Sequence, residues 1–155
     1  MTNDISKRRD IAIYKPNLKK TGSVAQFKLG GANDCMFLEC TRQIGEMTGS
    51  NPYDWKNKII VKLGTTDLCK MLAYFNLYQP ASPLKLMHKL GTSNQLIELK
   101  WQEYNGHSSY YLSVSHKAGD AEANRVSIPI ALDEVEYLVV GFRKALEIIL
   151  DWDPD

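Results

Sequence analysis

The sequence predicts an α+β protein in which a set of antiparallel strands is followed by a helix, twice over. Three observations carry this reading. Short β-prone runs recur between turn residues, and two stretches space their apolar side chains as helices do. The links between successive strands are too short for the crossovers that parallel strands require. A length of 155 residues suits one domain. With 44% hydrophobic and 24% charged residues, the composition is globular and argues against disorder, collagen or coiled coil.

The elements follow in order. Residues 11–16 form a short β-prone run closed by Pro16 and Asn17. Residues 22–29 follow, ending at Gly30-Gly31, and residues 35–42 read as a third strand. Residues 58–63, rich in Ile and Val, make the fourth. Gly64-Thr65-Thr66-Asp67 opens a helix, where a hydroxyl can accept free first-turn amides and Asp67 complements the dipole. Leu68, Met71, Leu72 and Phe75 keep helical spacing, and the helix must fail before Pro80.

The second round begins at residues 84–90. Residues 95–104 and 109–116 are strands around Asn105-Gly106, in a loop longer than a tight two-residue turn. Residues 122–129 supply the last strand, with Val126, Ile128 and Ile130 alternating. A long helix covers residues 132–150, with Asp133 and Glu136 forming an acidic capping box.

That last helix is apolar over an unusually wide arc. Leu132, Val135, Leu138, Val139, Phe142, Leu146 and Ile149 fall within roughly 120° at the helical repeat. Tyr137, Gly141, Ala145 and Ile148 widen the weakly polar arc to about 220°. Gly141 and Ala145 leave room for another backbone. The expectation is self-association through Leu138, Gly141, Phe142, Ala145, Ile148 and Ile149.

Formal net charge is +1, but it is unevenly spread. Lys7, Arg8, Arg9, Lys15, Lys19, Lys20 and Lys28 outweigh Asp4 and Asp10, a local balance of about +5 in residues 1–30. Seven acids outweigh Arg143 and Lys144 in residues 131–155, about −5. Residues 1–9 therefore read as a basic arm and residues 151–155 as a short acidic tail on one domain spanning 1–155. Cys35, Cys40 and Cys69 leave one thiol unpaired in any scheme and form no C-x-x-C. With no signal or intact transit segment and no apolar run near the roughly 18 residues of a membrane span, the expectation is a reduced, cytoplasmic protein away from membranes.

Catalytic and metal signatures are missing. No phosphate loop, dinucleotide fingerprint or H-E-x-x-H is present, and His88, His107 and His116 stand apart. Asp67 and Glu134 sit at helix starts, where the dipole accounts for them. The expectation is a protein that is not an enzyme and needs no metal or cofactor. The chain offers instead aromatic rings beside basic side chains. Tyr14 neighbours Lys15, Tyr53 and Trp55 adjoin Lys56 and Lys58, Lys100 adjoins Trp101 and Tyr104, and Tyr110-Tyr111 lies across the hairpin. Unpaired bases stack on such rings for about 1–3 kcal/mol each while cations track the phosphates, so a few rings dominate on a weakly charged surface.

At these residues a family resemblance enters. Tyr53-Asp54-Trp55, the strand after it and Thr65-Thr66-Asp67-Leu68 resemble the Tyr-Asp-Trp block, strand and helix start of the Whirly family. The run from Phe37 to Gly45 resembles the strand before that block, and Ser109-Tyr110-Tyr111-Leu112-Ser113-Val114-Ser115 resembles its Gly-Tyr-Phe-Val-Ser-Leu-Ser strand. Ser127-Ile128-Pro129-Ile130 and Asp151-Trp152-Asp153 are similar to its Ser-Val-Pro-Val segment and Gly-Trp-Asp ending, in the same order. The family's Lys-Gly-Lys-Ala-Ala-Leu motif falls on residues 7–12, with Arg8 in place of glycine and Asp10 in place of alanine. Residues 47–51 are an insertion relative to the plant pattern. The resemblance implies two four-stranded antiparallel sheets, each followed by a helix, four protomers around a helical centre, and single-stranded DNA held between sheets of neighbouring protomers.

Residues and resemblance together give a single-stranded DNA-binding protein of little sequence preference, acting in replication, recombination or repair. Lys7, Arg9, Lys15, Lys28, Lys56, Lys58 and Lys100 are the expected phosphate contacts. Tyr53, Trp101, Tyr104 and Tyr111 are the expected stacking platforms, with Trp55 divided between core and ligand. Two alternatives stand beside this reading. One is RNA binding, since the guide-RNA-binding proteins of kinetoplastid mitochondria share the architecture. The other is a scaffold whose acidic tail recruits replication or recombination proteins.

Overall fold

Strand pairing sorts eight strands into two sheets, each built in sequence order and antiparallel throughout. The computed structural model describes residues 10–152, so the basic arm with Lys7 and Arg9, and residues 153–155 of the acidic tail, lie outside the described residues. The first sheet holds β1 (Asp10–Lys15), β2 (Ser23–Leu29), β3 (Met36–Arg42) and β4 (Ile59–Leu63), and α1 (Thr65–Phe75) follows it. The second holds β5 (Leu84–Leu90), β6 (Ser93–Tyr104), β7 (His107–Ala118) and β8 (Asn124–Ala131), followed by α2 (Leu132–Leu150). This is the α+β arrangement of two four-stranded antiparallel sheets, each followed by a helix.

Alternation explains which side of each sheet is dry. Ile13, Ala25, Phe27, Leu38, Cys40, Val61 and Leu63 point one way from the first sheet. Leu86, Ile97, Leu99, Leu112, Val114, Val126, Ile128 and Ile130 do so from the second, and both sets join one cluster. Burying these inner faces removes apolar area from water and leaves the outer faces outside that core, the first of them partly covered by the segment after β3.

α2 fills the same cluster. Val135, Leu138, Phe142 and Ala145 are buried, with Phe142 edge-on to Phe27 at 5.0 Å between ring centroids. Two expectations about this helix are corrected here. Leu138, Phe142 and Ala145 serve the protomer's own core, so they are not a surface for another copy. Gly141 packs against Ile11, whose Cδ1 would lie 2.4 Å from an added Cβ. Ile149 packs on the core from its margin, and Ile148 is half-buried. Two sheets and α1 give the helix more to pack on than one sheet would, which absorbs most of the wide apolar arc.

The helix starts also differ from expectation. Gly64 and Ala131 precede the helices and have no side-chain oxygen to give. Acids three residues on reach back instead: Asp67 Oδ2 accepts the Gly64 N–H at 3.1 Å, and Glu134 Oε1 accepts that of Ala131 at 2.9 Å. Glu134 thus does what was expected of Glu136. Between β6 and β7 the loop is a tight two-residue turn after all. Tyr104 pairs with His107, and Asn105 and Gly106 take φ of +49° and +76°, which makes longer strands than the sequence suggests. At Gly22 the constraint is steric, since a Cβ there would sit 2.0 Å from the Lys15 carbonyl oxygen.

Two polar ties and one amide close the seam between sheets. Ser23 Oγ donates to the Ser127 carbonyl at 2.7 Å, Arg42 Nη2 donates to the Arg125 carbonyl, and Gln95 Nε2 donates to the Ile60 carbonyl at 2.7 Å. All three acceptors lie on β8 or β4, the sheet edges that face the other sheet. Pro129 shares its outward backbone orientation with Arg125 and Ser127, where a missing N–H costs no ladder bond. Among the described residues no helix is long and apolar enough to cross a membrane.

Two outcomes are expected. Phe142→Ala should lower the free energy of unfolding by about 3–5 kcal/mol in urea titrations, the cost of deleting a fully enclosed ring. Burial pushes the Cys40 thiol from 9.0 up to about 12, so the folded chain keeps a proton that the unfolded chain releases. Stability should therefore be full below pH 9.0 and fall as pH rises from there towards 12, and Cys40→Ala should flatten that decline in pH-dependent melts.

Candidate nucleic-acid interface

The outer face of the first sheet is built from the residues that alternate with its core. Cross-strand rows place Tyr14 beside Val24 and Thr41, Gln26 beside Glu39 and Ile60, and Lys28 beside Phe37 and Lys62. The segment after β3 returns over this face. Gln43 bridges to Tyr53, the Thr41 hydroxyl donates to the Asp54 carbonyl at 2.7 Å, and Trp55–Asn57 forms a 3-10 turn. Buried Gln43 anchors this return: its Nε2 donates to the Asn17 and Gly45 carbonyls, while its Oε1 accepts the Asn17 and Gly22 N–H groups.

Three rings are gathered there. Tyr53 lies between Tyr14, at 5.8 Å, and Trp55, at 6.2 Å between centroids. They line a cavity of about 380 Å³ with Met47, Asn51 and Pro52, so the 47–51 insertion forms part of its wall. The exposure differs from expectation. Tyr53 is only 4% exposed, while its neighbour Tyr14 is 53% exposed and is the most open ring of the three. Trp55 is half-buried.

Beside the rings lies a charge cluster. Glu39, 8% exposed, places Oε2 3.2 Å from both Lys28 Nζ and Lys58 Nζ. One carboxylate under two ammoniums fixes both and leaves a net positive charge. Lys62 stands in the same rows, exposed and without an ion-pair partner among the described residues. Sequence reasoning noted Tyr14 beside Lys15 without naming it a stacking platform and passed over Lys62, although strict alternation from Ile13 and Val61 puts both outward. Lys56 is exposed on the 3-10 turn. Lys15, expected on phosphate, is instead paired with Glu134 at 2.5 Å, where its charge holds the start of α2.

The second sheet's outer face carries Lys100, Tyr104 and Tyr111. Lys100 Nζ lies 5.4 Å from the centre of the Tyr111 ring, its direct cross-strand neighbour, in a cation–π contact. Tyr104 is 76% exposed at the hairpin end. Trp101 is a correction: it alternates with Lys100 onto the inner face and packs edge-on to Tyr110 at 5.4 Å, beside Tyr74 and Phe75. A ring used by the core is not free for a base. Among the described residues no three metal-ligating side chains are grouped.

Arg42 and Arg125 were also overlooked. With Tyr111 they line a second cavity, of about 300 Å³, at the seam between sheets. Nothing in local spacing joins residues 42, 111 and 125; only the meeting of β3, β7 and β8 does.

No protein-family model matches the chain, and no curated protein matches it in sequence. Solved structures do match in fold. WHY3 from Arabidopsis thaliana superposes with a TM-score of 0.70 at 16% identity, over 94% of this chain and 90% of that one. The plant transcriptional regulator PBF-2 gives 0.68 at 16% identity, over 92% and 82%. A guide-RNA-binding protein complex bound to its RNA gives 0.65 at 14% identity, over 92% of each chain. The chain has a Whirly-like fold, one that the guide-RNA-binding complex also uses.

The buried Tyr53 hydroxyl has no hydrogen-bond partner among the described residues, and burial, then the neighbouring Tyr14, pushes its pKa up. Tyr53→Phe should therefore raise stability by about 1 kcal/mol in denaturant titrations.

Proposed function

We propose that this protein binds single-stranded DNA with little sequence preference, as a homo-oligomer, and shields exposed strands in replication, recombination or repair. The observation that carries the reading is the outer face of the first sheet. Exposed Tyr14 beside Tyr53, with half-buried Trp55, offers a ring surface for bases, and Lys28, Lys58 and Lys62 stand on the same sheet face around Glu39 and Phe37. Lys100, Tyr104 and Tyr111 extend the same chemistry on the second sheet. Rings supply sequence-tolerant stacking, and lysines supply a salt-sensitive hold on the backbone. Exposed Lys56 adds positive charge beside this surface, and Lys7 and Arg9 carry further positive charge in the sequence before β1; the role we propose is binding rather than catalysis. The three free cysteines suit a reducing, intracellular setting.

A second reading, RNA, is favoured by the fold shared with the guide-RNA-binding complex. Stacking is blind to the sugar, so discrimination must come from contacts with the 2′-hydroxyl.

Self-association falls to the side of α2 that the core leaves open. Tyr137 is 41% and Val140 69% exposed there, and Leu132, Leu150 and Trp152 add apolar surface at the ends.

Fluorescence anisotropy with matched dT and rU oligonucleotides should show tighter DNA binding, with log affinity falling against log salt by about 0.7 per phosphate contacted. Equal or tighter RNA binding favours the second reading, and indifference to salt removes the lysine assignments. Joint Lys28→Gln, Lys58→Gln and Lys62→Gln substitution should flatten that slope by about 2. In light scattering the intact chain should run as an oligomer of about four protomers, and Val140→Asp should run smaller while keeping its circular dichroism.

A further inference from the structure

The cavity at the seam between the sheets has a chemistry that the stacking surface lacks. Thr21 of the β1–β2 loop, with Ser23 and Arg42 of the first sheet, faces Tyr111, Arg125 and Ser127 of the second around about 300 Å³. No carboxylate lines it, and neither arginine forms an ion pair among the described residues. Arg42 gives one N–H to the Arg125 carbonyl, which fixes its guanidinium while leaving four donors. Arg125 has an exposed side chain on the facing strand. Tyr111 forms a wall, held from its own sheet by the Lys100 ammonium.

Two planar guanidiniums that share a cavity without a counter-ion match the oxygens of a phosphate, which they bind in paired, forked hydrogen bonds. An aromatic wall beside them matches the base attached to that phosphate. The volume is at the small end of ligand pockets, the size for one nucleotide rather than a longer segment.

We infer that this cavity is a one-nucleotide subsite: Arg42 and Arg125 clamp a single phosphate of the bound strand, and the adjoining base lies against Tyr111. The inference rests on the proposed binding of single-stranded DNA and adds to it a fixed point within one protomer. A strand crossing from the second sheet to the first passes this seam, so the clamp sets its path and register. A free nucleotide offers the same phosphate-plus-base chemistry as an internal unit of a strand, and the two are separated below.

The test uses the full chain, a labelled dT oligonucleotide and a salt series, with Lys70→Gln, at an exposed position of α1, as control. Arg125→Gln removes an exposed side chain and leaves the seam carbonyl in place, and should weaken binding about tenfold. Arg42→Lys keeps a charge and a donor for the Arg125 carbonyl but loses the fork, and should also weaken binding. The Arg42→Gln/Arg125→Gln chain should lose about 0.7 from the log–log salt slope, as expected for one shared phosphate. As competitors, dTMP should displace the oligonucleotide at lower concentration than inorganic phosphate, and Tyr111→Leu should abolish that advantage. Failure of the intact chain to bind dT overturns the functional reading and the subsite together. Normal binding with Arg125→Gln and Arg42→Lys indistinguishable from Lys70→Gln overturns the subsite alone. Equal competition by dTMP and phosphate overturns the placement of the base on Tyr111. Binding of dTMP unaffected by the arginine substitutions assigns free-nucleotide binding elsewhere and likewise removes the clamp.

Discussion

The arrangement depends on how two open sheets satisfy the edges they turn towards each other. A sheet edge carries carbonyl and amide groups with no neighbouring strand, and burying them unpaired is costly. Here β8 and β4 are those edges. Side chains cap them where a further strand would: Ser23 and Arg42 reach β8, and Gln95 reaches β4. Pro129 fits the same logic, because it stands where β8 needs no donor. With these edges tied, both inner faces and both helices share one apolar cluster.

A shared core leaves both outer faces outside it, and the rings and cations of the protein collect there. The net charge of +1 leaves little long-range attraction for a polyanion, so local arrangement has to compensate. Glu39 contributes to this in an indirect way. A buried carboxylate among lysines reduces the local charge by one unit, yet it holds Lys28 and Lys58 in place on either side of itself. The Tyr14–Tyr53–Trp55 group is a second, smaller apolar cluster on the far side of the sheet from the main core. The buried Tyr53 ring packs against the exposed Tyr14 ring.

Several features were legible from residue order. The Ile-Val-rich run at β4, the alternation of Val126, Ile128 and Ile130, and the spacing of Leu68, Met71, Leu72 and Phe75 each announce an element. Period-two and period-3.6 burial are local consequences of backbone geometry. Trp101 could have been placed too. It stands in phase with Ile97 and Leu99, as Tyr110 does with Leu112 and Val114, and that phase points inward. Lys100 and Tyr111 occupy the opposite phase and meet across the strands. For Tyr53 no such signal existed, because its burial depends on a loop folding back over a sheet face.

Residue order by itself determined the two rounds of strands and helix, the antiparallel pairing and the mixture of rings and cations. These follow from side-chain periodicity and short connections, which act over a few residues. Tertiary structure decided which apolar face α2 spends inside the protomer, that Lys15 serves Glu134, and that Arg42, Tyr111 and Arg125 surround one cavity. Those outcomes depend on contacts between distant segments, where the order of residues fixes what a side chain can do but not which neighbour it will find.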